Sequence, residues 1–194
     1  MKDCLSPFFA GNILLMIEKF SFDIVSPKVR RKLILVKNDS EGREHVVLKL
    51  IAYILFYDER LKVEPDLGMH YRPDLAVEGE HGVPEVWIDC GQIALEKAEK
   101  LSRKLRATRL IFIKESVQEL TRFKATLDKK VEYANRIEYL AFDSGVIGAI
   151  ALQLGRSNEW TLYMIDEDTI GITFGDNVFE THLHRISRTA PPER

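Results

Sequence analysis

The sequence has few cysteines, and the two that it has stand far apart. Cys4 and Cys90 are the only thiols in 194 residues, too few for the disulfide framework that holds small secreted domains together. Their spacing also differs from the paired cysteine motifs that bind structural zinc. These absences exclude a disulfide-rich scaffold and a zinc finger, and they predict a reducing, cytoplasmic environment.

No segment is apolar for long enough to cross a bilayer. A spanning helix needs about 18 consecutive apolar residues, and the nearest candidates, Ile13–Ile17 and Val146–Leu154, are much shorter. The N-terminus also lacks the ordered charged, apolar and cleavage regions of a signal peptide, because Asp3 lies beside Lys2 and no small-residue site follows the apolar run. We therefore predict no association with a membrane.

Neither sign of charge dominates the chain. The 28 lysines and arginines against 30 acids give a formal net charge of −2, whereas strong nucleic-acid binders commonly carry a broad positive surface. One local basic segment remains, with six lysines and arginines between Lys97 and Arg109. The commoner explanation of such a run is a solvated helix face, and contact with nucleic acid is the alternative.

The apolar residues alternate between helix and strand periods along most of the chain. A hairpin over residues 13–37 precedes a helix that we expect to begin at Ser40, a favourable N-cap, and to end near Tyr57. Two strands joined by a short turn follow at Arg72–Glu78 and Glu85–Cys90, so they should be antiparallel. Five further elements alternate in type: helix Ile93–Leu105, strand Arg109–Ile113, helix Ser116–Leu127, strand Arg136–Phe142 and helix Val146–Leu154. This order predicts an α/β fold with parallel neighbours among the last strands.

The tail changes to short strands with turns between them, at Glu159–Met164, Thr169–Phe174 and Val178–His184. We expect this meander to join the N-terminal hairpin in a small antiparallel accessory sheet. The sequence thus predicts one domain over residues 1–194, with a core at about 38–154 and accessory strands at 13–37 and 159–184. His182 and His184 share one face of the last strand; they could hold a metal, but an exposed strand is the commoner explanation.

Two acids stand in the central strand pair. Side-chain alternation places Asp74 and Asp89 side by side across the antiparallel pair, so at least one of the two carboxyls should have a raised pKa. Converging carboxylates suit Mg²⁺ or Mn²⁺, and such an ion activates water and stabilises a phosphodiester transition state. Glu44, on the preceding helix, would add a third metal ligand. The structural alternatives are a helix cap for Asp89 and an ion pair for Asp74.

Several segments resemble the bacterial YaeQ family. They are SEGREHVVLKLIAYILFYDERL at 40–61, VWIDCGQ at 86–92 and the basic helix that follows. Their order of helix, strand pair and helix is similar to the core of the PD-(D/E)XK nuclease superfamily. The resemblance spans Met16 to about Ile113, and more weakly the tail. It implies a restriction-endonuclease-like core, a mixed sheet flanked by helices, in which Pro73 and Asp74 match the "PD", Asp89 the second acid and Glu44 the helical acid of many members.

The chain departs from the superfamily pattern where a lysine is expected. The acid-x-Lys motif here is Asp89-Cys90-Gly91, and glycine has no group to orient water or stabilise charge. YaeQ-like proteins as a group share this form. Gln92, or Lys97 from the next helix, could replace the lysine. The resemblance implies a Mg²⁺- or Mn²⁺-dependent phosphodiesterase or nucleic-acid-processing protein; the alternative is a non-catalytic adaptor for nucleic acid or protein, with its partner unknown.

Overall fold

The computed structural model describes residues 18–187, so residues 13–17 of the expected hairpin lie outside the described part. Within it the chain forms strands and helices in the order that the sequence predicts, with an additional short strand at Leu61–Val63 that it does not predict. In chain order they are β1 (Glu18–Val25), β2 (Arg30–Lys37), α1 (Arg43–Leu55), β3 (Leu61–Val63), β4 (Leu75–Glu78), β5 (Pro84–Cys90), α2 (Leu95–Lys104), β6 (Arg109–Ile113), α3 (Val117–Lys130), β7 (Ile137–Ala141), α4 (Val146–Ala151), β8 (Ser157–Met164), β9 (Thr169–Phe174), β10 (Asn177–His182) and β11 (His184–Ile186).

The strands make two sheets, and both are mixed. A six-stranded sheet has the order β11-β7-β6-β5-β4-β3. In it β5, β6 and β7 are parallel, as expected from their helical connections, and β4 pairs antiparallel with β5. A five-stranded sheet has the order β10-β9-β8-β1-β2 and contains the N-terminal hairpin and the tail meander. The α/β fold class with helices flanking mixed sheets is confirmed.

The accessory sheet differs from the prediction in two respects. It is not wholly antiparallel, because β1 and β8 are parallel, with Ser21 opposite Ser157. Turn chemistry sets direction only for strands joined by a short loop, and these two are far apart in sequence. The strand predicted at Val178–His184 is also divided: β10 ends at His182, Leu183 is buried, and β11 joins β7 in the other sheet.

Helix α1 lies between the two sheets. All nine residues from Val46 to Ile54 are buried, and one apolar cluster joins this helix to α4 and to strands of both sheets. A helix buried on all sides is apolar all round, which fits this stretch except at Lys49. Helices α2 and α3 belong to a second cluster on the opposite face of the six-stranded sheet.

The start of α1 corrects the prediction that Ser40 is its N-cap. The helix begins at Arg43 after Gly42, which provides no side-chain cap. Residues 38–41 instead form a turn of their own, in which the backbone N–H of Glu41 donates to Asn38 O and Glu41 Oε2 accepts from Asn38 N. This turn places Glu41 beside the N-terminal end of α1, where it contacts the site described below.

A buried asparagine connects the two halves of the five-stranded sheet. Asn158 is 4% exposed; its Oδ1 accepts from Gly155 N at 2.9 Å, and its Nδ2 donates to Ser21 O and Gly155 O, both at 3.0 Å. Buried polar groups need such partners. Asn158 therefore fixes the turn before β8 to β1.

We expect Asn158→Ala to lower the free energy of unfolding by about 1–3 kcal/mol, because it removes the three hydrogen bonds that this buried side chain makes to the backbone of Ser21 and Gly155. Asn177→Ala is the control, since Asn177 is exposed and its side chain bonds only to Gln153. Its loss should stay within about 0.5 kcal/mol. Urea unfolding measures both, and equal losses would contradict the role of Asn158.

Candidate functional site

Asp74 and Asp89 lie at the same end of the six-stranded sheet. Asp89 is in β5. The strand predicted at Arg72–Glu78 begins only at Leu75, so Asp74 lies immediately before β4 and not within it. The backbone N–H of Asp74 still donates to Ile88 O at 3.1 Å, beyond the last ladder pair of Leu75 and Ile88. The ladder therefore holds the two acids next to each other.

Asp74 is bonded on the side of helix α1. Its Oδ1 lies 2.9 Å from His45 Nε2, and its Oδ2 accepts from the Cys90 backbone N–H at 2.7 Å. Burial opposes ionisation of Asp74, but the bond and charge of His45, the Cys90 amide and the charge of Lys49 outweigh it and lower the pKa of Asp74. Asp74 is therefore a carboxylate at neutral pH.

Asp89 is bonded on the side of helix α2. It is 2% exposed, and its Oδ1 accepts from Lys97 Nζ at 2.8 Å. Its Oδ2 makes no hydrogen bond of ordinary geometry among residues 18–187, although the Trp87 side chain still acts to lower the pKa of Asp89. Burial raises the pKa of Asp89, the Lys97 ammonium opposes the rise, and the charge of Asp74 adds to it. The raised pKa expected of one acid thus falls on Asp89, with burial as its main cause.

A third group of polar side chains comes from the beginning of α1. His45 and Lys49 are four residues apart and share one side of α1, and Glu41, in the turn before the helix, contacts both. Lys49, which is 0% exposed, donates to Glu64 Oε1 at 2.6 Å and lies 3.5 Å from Glu41 Oε2. His45 Nε2 is 3.4 Å from Glu41 Oε1. The helix thus presents a compact network of charges to Asp74.

Within the described part of the chain, one set of side chains has the spacing of a metal site. The ligand atoms of Glu41, His45 and Asp74 all lie within 4.8 Å of one another. Glu44 and Asp89, which the sequence places in the metal site beside Asp74, are not in this set. Sequence reasoning missed Glu41 and His45, although their four-residue spacing ahead of an apolar helix was a usable signal.

A cavity of about 320 Å³ opens beside this network. It is bounded by the starts of α1 and α3 and by the residues after β5. Its polar lining side chains are Glu41, Glu44, His45, Gln92, Glu115 and Glu119, together with Ser40. Burial and the charges of Glu119 and Glu44 raise the pKa of Glu115. An anion could enter so acidic a cavity only together with a cation that offsets the carboxylates.

The backbone conformation and the surroundings of Gly91 disfavour the lysine that the acid-x-Lys motif would place there. Its φ is +67°, a region that L side chains rarely adopt, and a Cβ there would lie 3.1 Å from His45 Nδ1. The imidazole therefore occupies the space that a side chain at position 91 would need. The Gly91 carbonyl also accepts from Lys114 Nζ at 2.5 Å, and burial lowers the pKa of that lysine.

Lys97 and Gln92, the two expected replacements for the lysine, have different positions. Lys97, in the first turn of α2, contacts Asp89 directly and also donates to Arg72 O at 3.0 Å. Gln92 is exposed and lines the cavity. The structure therefore brings an amine to Asp89 from the following helix, and it leaves Gln92 at the cavity wall.

The histidines of the tail form a separate cluster around Asp143. His182 Nδ1 is 3.1 Å from Asp143 Oδ2, and His184 Nε2 is 2.8 Å from Asp143 Oδ1. The His182 backbone N–H, followed by the two imidazoles, lowers the pKa of Asp143 to about 2. The three residues do not meet the spacing of a metal site, so the cluster fastens the tail to the end of β7.

Known proteins resemble this chain both in sequence and in fold. The family model described as YaeQ protein matches residues 29–183. The chain belongs to the YaeQ family. The crystal structure of the YaeQ protein from Xanthomonas axonopodis pv. citri is similar, with a TM-score of 0.70 and 18% identity over 90% of this chain and 99% of that one. The YaeQ protein from Pseudomonas syringae has a TM-score of 0.68 and 20% identity over 89% and 96%. No curated protein matches.

These YaeQ structures share the fold of this chain at low identity, and the function of the family is uncharacterized. Among the described residues, no helix has the length and apolar character needed to pass through a bilayer. The chemistry of this YaeQ-family chain must therefore be inferred from its own site.

We expect Gly91→Ala to destabilise the protein more than Gly68→Ala. Both glycines have positive φ, so both substitutions introduce left-handed strain of about 1–2 kcal/mol, but a Cβ at Gly68 meets nothing within 4 Å. Only at Gly91 must the His45 ring also move. The free energy of unfolding measures both losses, and the excess at Gly91 should shrink in a His45→Ala background. An excess that persists there would show that His45 is not the obstacle.

We also expect opposite pH dependence from the two acids. The lowered pKa of Asp74 stabilises the fold above the unfolded pKa, and this contribution is lost as pH falls through the folded value. The raised pKa of Asp89 does the reverse: its favourable contribution is present below the unfolded pKa and is lost as pH rises through the folded value. Relative to the parent, Asp74→Asn should therefore lose more stability at neutral pH than at about pH 3, below the ordinary aspartate pKa, and Asp89→Asn should lose less. Denaturant unfolding at both pH values checks this, and shifts of the same sign in both variants would contradict it.

Proposed function

We propose that this protein is a nuclease-type phosphodiesterase that depends on Mg²⁺ or Mn²⁺. The observation that carries the proposal is the bond of the Lys97 ammonium to Asp89 at the end of the sheet where Asp74 lies, close enough for its charge to raise the pKa of Asp89. Two carboxylates and an amine are the groups that the PD-(D/E)XK pattern brings together. Here the amine comes from α2 because His45 fills the space at Gly91.

Asp74, Glu41 and His45 would hold the ion, since their ligand atoms already lie within 4.8 Å of one another. Carboxylate oxygens suit Mg²⁺ and Mn²⁺, and the imidazole nitrogen favours Mn²⁺ of the two. A bound ion would activate water and offset the charge of a phosphodiester. Glu44 lines the same cavity and adds negative charge that attracts the cation.

Lys97 would stabilise the negative charge that develops on the phosphate. Its side chain is 19% exposed, so the ammonium is partly shielded from water, where a charge interaction is stronger. Asp89 orients this ammonium through Oδ1. Asp89 is thus a positioning residue for Lys97.

A non-catalytic adaptor is the second candidate, and one observation favours it. Asp74 is already bonded by His45 and the Cys90 amide, and Asp89 by Lys97. Such a network could serve only to hold β4, β5, α1 and α2 together. In that case the protein would bind nucleic acid or protein through another surface, and the acids would not contact a ligand.

Metal binding and cleavage of bis(p-nitrophenyl) phosphate test the phosphodiesterase. We expect Mn²⁺ binding by calorimetry and cleavage that EDTA abolishes. Asp74→Asn should lose both, because the ion loses a charged ligand, whereas Asp23→Asn, at an exposed strand position, should retain both. Lys97→Met should keep Mn²⁺ binding but lower kcat by about 100-fold.

Lys129→Met is the charge-matched control for Lys97, since Lys129 is exposed at the end of α3, and it should leave kcat unchanged. If the parent protein neither binds Mn²⁺ nor cleaves the diester, the proposal of a phosphodiesterase is wrong and the adaptor function is favoured. A Lys97→Met variant as active as the parent would remove Lys97 from the mechanism.

A further inference from the structure

A second cavity, of about 270 Å³, lies between α2 and the loop that joins β3 to β4. It is separate from the acidic cavity and shares no lining residue with it. The loop contributes Met69, His70 and Tyr71, and the helix contributes Lys100, Leu101 and Lys104. We call it the loop–α2 cavity.

The loop–α2 cavity combines an apolar floor with aromatic walls. Leu101 is 2% exposed and belongs to the apolar cluster under α2, against which Met69 and Tyr71 pack. The His70 and Tyr71 rings meet at 71° with centroids 4.7 Å apart, and His70 is exposed. A flat heteroaromatic ring could stack on one of these rings and meet the edge of the other.

The rim of the cavity is basic. Lys100 Nζ lies 5.7 Å from the centre of the Tyr71 ring, and Lys104 is exposed one turn further along α2. Lys100 also pairs with Glu96 at 2.5 Å, but the Glu96 side chain is 69% exposed, and such surface pairs contribute little. A phosphate could therefore replace Glu96 as the partner of Lys100.

A row of lysines on α2 leads from the candidate site to the cavity. Lys97, Lys100 and Lys104 are spaced by three and four residues, so they follow one face of the helix. From Lys97 to Lys104 this face spans about 10 Å along the helix axis. Lys97 bonds to Asp89 and to the carbonyl of Arg72, the residue after Tyr71. A chain bound at the site could thus extend directly into the cavity.

We propose that the loop–α2 cavity binds one nucleotide unit of a single-stranded nucleic acid, with its base against His70 and Tyr71 and its phosphate at Lys100 and Lys104. This inference rests on the proposed function, since it names the substrate of that site. A base within a duplex has no free face to stack on a side chain, whereas the bases of a single strand do. Aromatic side chains beside a basic groove are the usual means of binding such strands.

Fluorescence anisotropy with a labelled oligothymidylate, in EDTA, tests this cavity without any need for catalysis. An abasic strand of the same length carries the same phosphates without bases, and should bind about tenfold more weakly. His70→Ala should remove that difference. Lys104→Gln should reduce the slope of log affinity against log salt by about 0.7, the value for one phosphate contact on a single strand.

Arg103→Gln is the matched control, because it removes one charge from an exposed position of α2 that does not line the cavity. It should leave the preference for the strand with bases unchanged, and its salt slope should equal that of the parent. Equal binding of the two strands by the parent, an Arg103→Gln slope as low as that of Lys104→Gln, or no strand binding would each overturn the proposal. Cleavage of bis(p-nitrophenyl) phosphate without strand binding would overturn only the proposal that this cavity binds a nucleotide. Strand binding without metal-dependent cleavage would overturn only the proposal of a phosphodiesterase.

Discussion

Two carboxylates side by side at the end of a sheet require compensation, and the surroundings of Asp74 and Asp89 meet this requirement from opposite sides. An ion buried without a partner destabilises a fold by several kcal/mol. Helix α1 provides His45 to Asp74, and helix α2 provides Lys97 to Asp89. The Cys90 amide completes the bonding of Asp74. The positions of both helices against the sheet are thus coupled to the ionisation of the pair.

The surroundings compensate the charges of the two carboxylates unequally. Asp74 is stabilised as an anion, while burial raises the pKa of Asp89 despite its contact with Lys97. Groups held in an unfavourable ionisation state are concentrated at functional sites, although structural ion pairs also produce them. Nearby, the carboxylates that line the acidic cavity make a field that an anion can approach only when cations accompany it. Both features are expected of a site that works with a bound cation.

Much of this arrangement could be predicted from the sequence, because it depends on local periodicity. Strands β6 and β9 have the predicted bounds, Arg109–Ile113 and Thr169–Phe174, and the parallel order of β5, β6 and β7 follows from short helical connections. The proximity of Lys97 to Asp89 follows from helix rise. The contact of His45 with Asp74 could not be derived in this way, since it depends on how α1 is rotated against the sheet. The parallel β1–β8 pair and the separate β11 likewise depend on contacts between distant segments.

The pairing of β1 with β8 has a consequence for the order in which the protein folds. A hairpin of two strands is at most marginally stable alone, and β1–β2 gains its third strand only when residues from Ser157 onward are available. During synthesis the second edge of β1 can therefore be paired only after most of the described chain has emerged. Contacts so distant in sequence slow folding and leave a strand edge unpaired in the meantime. The neighbouring helix α1 packs against β2, but it leaves this edge of β1 uncovered until β8 arrives.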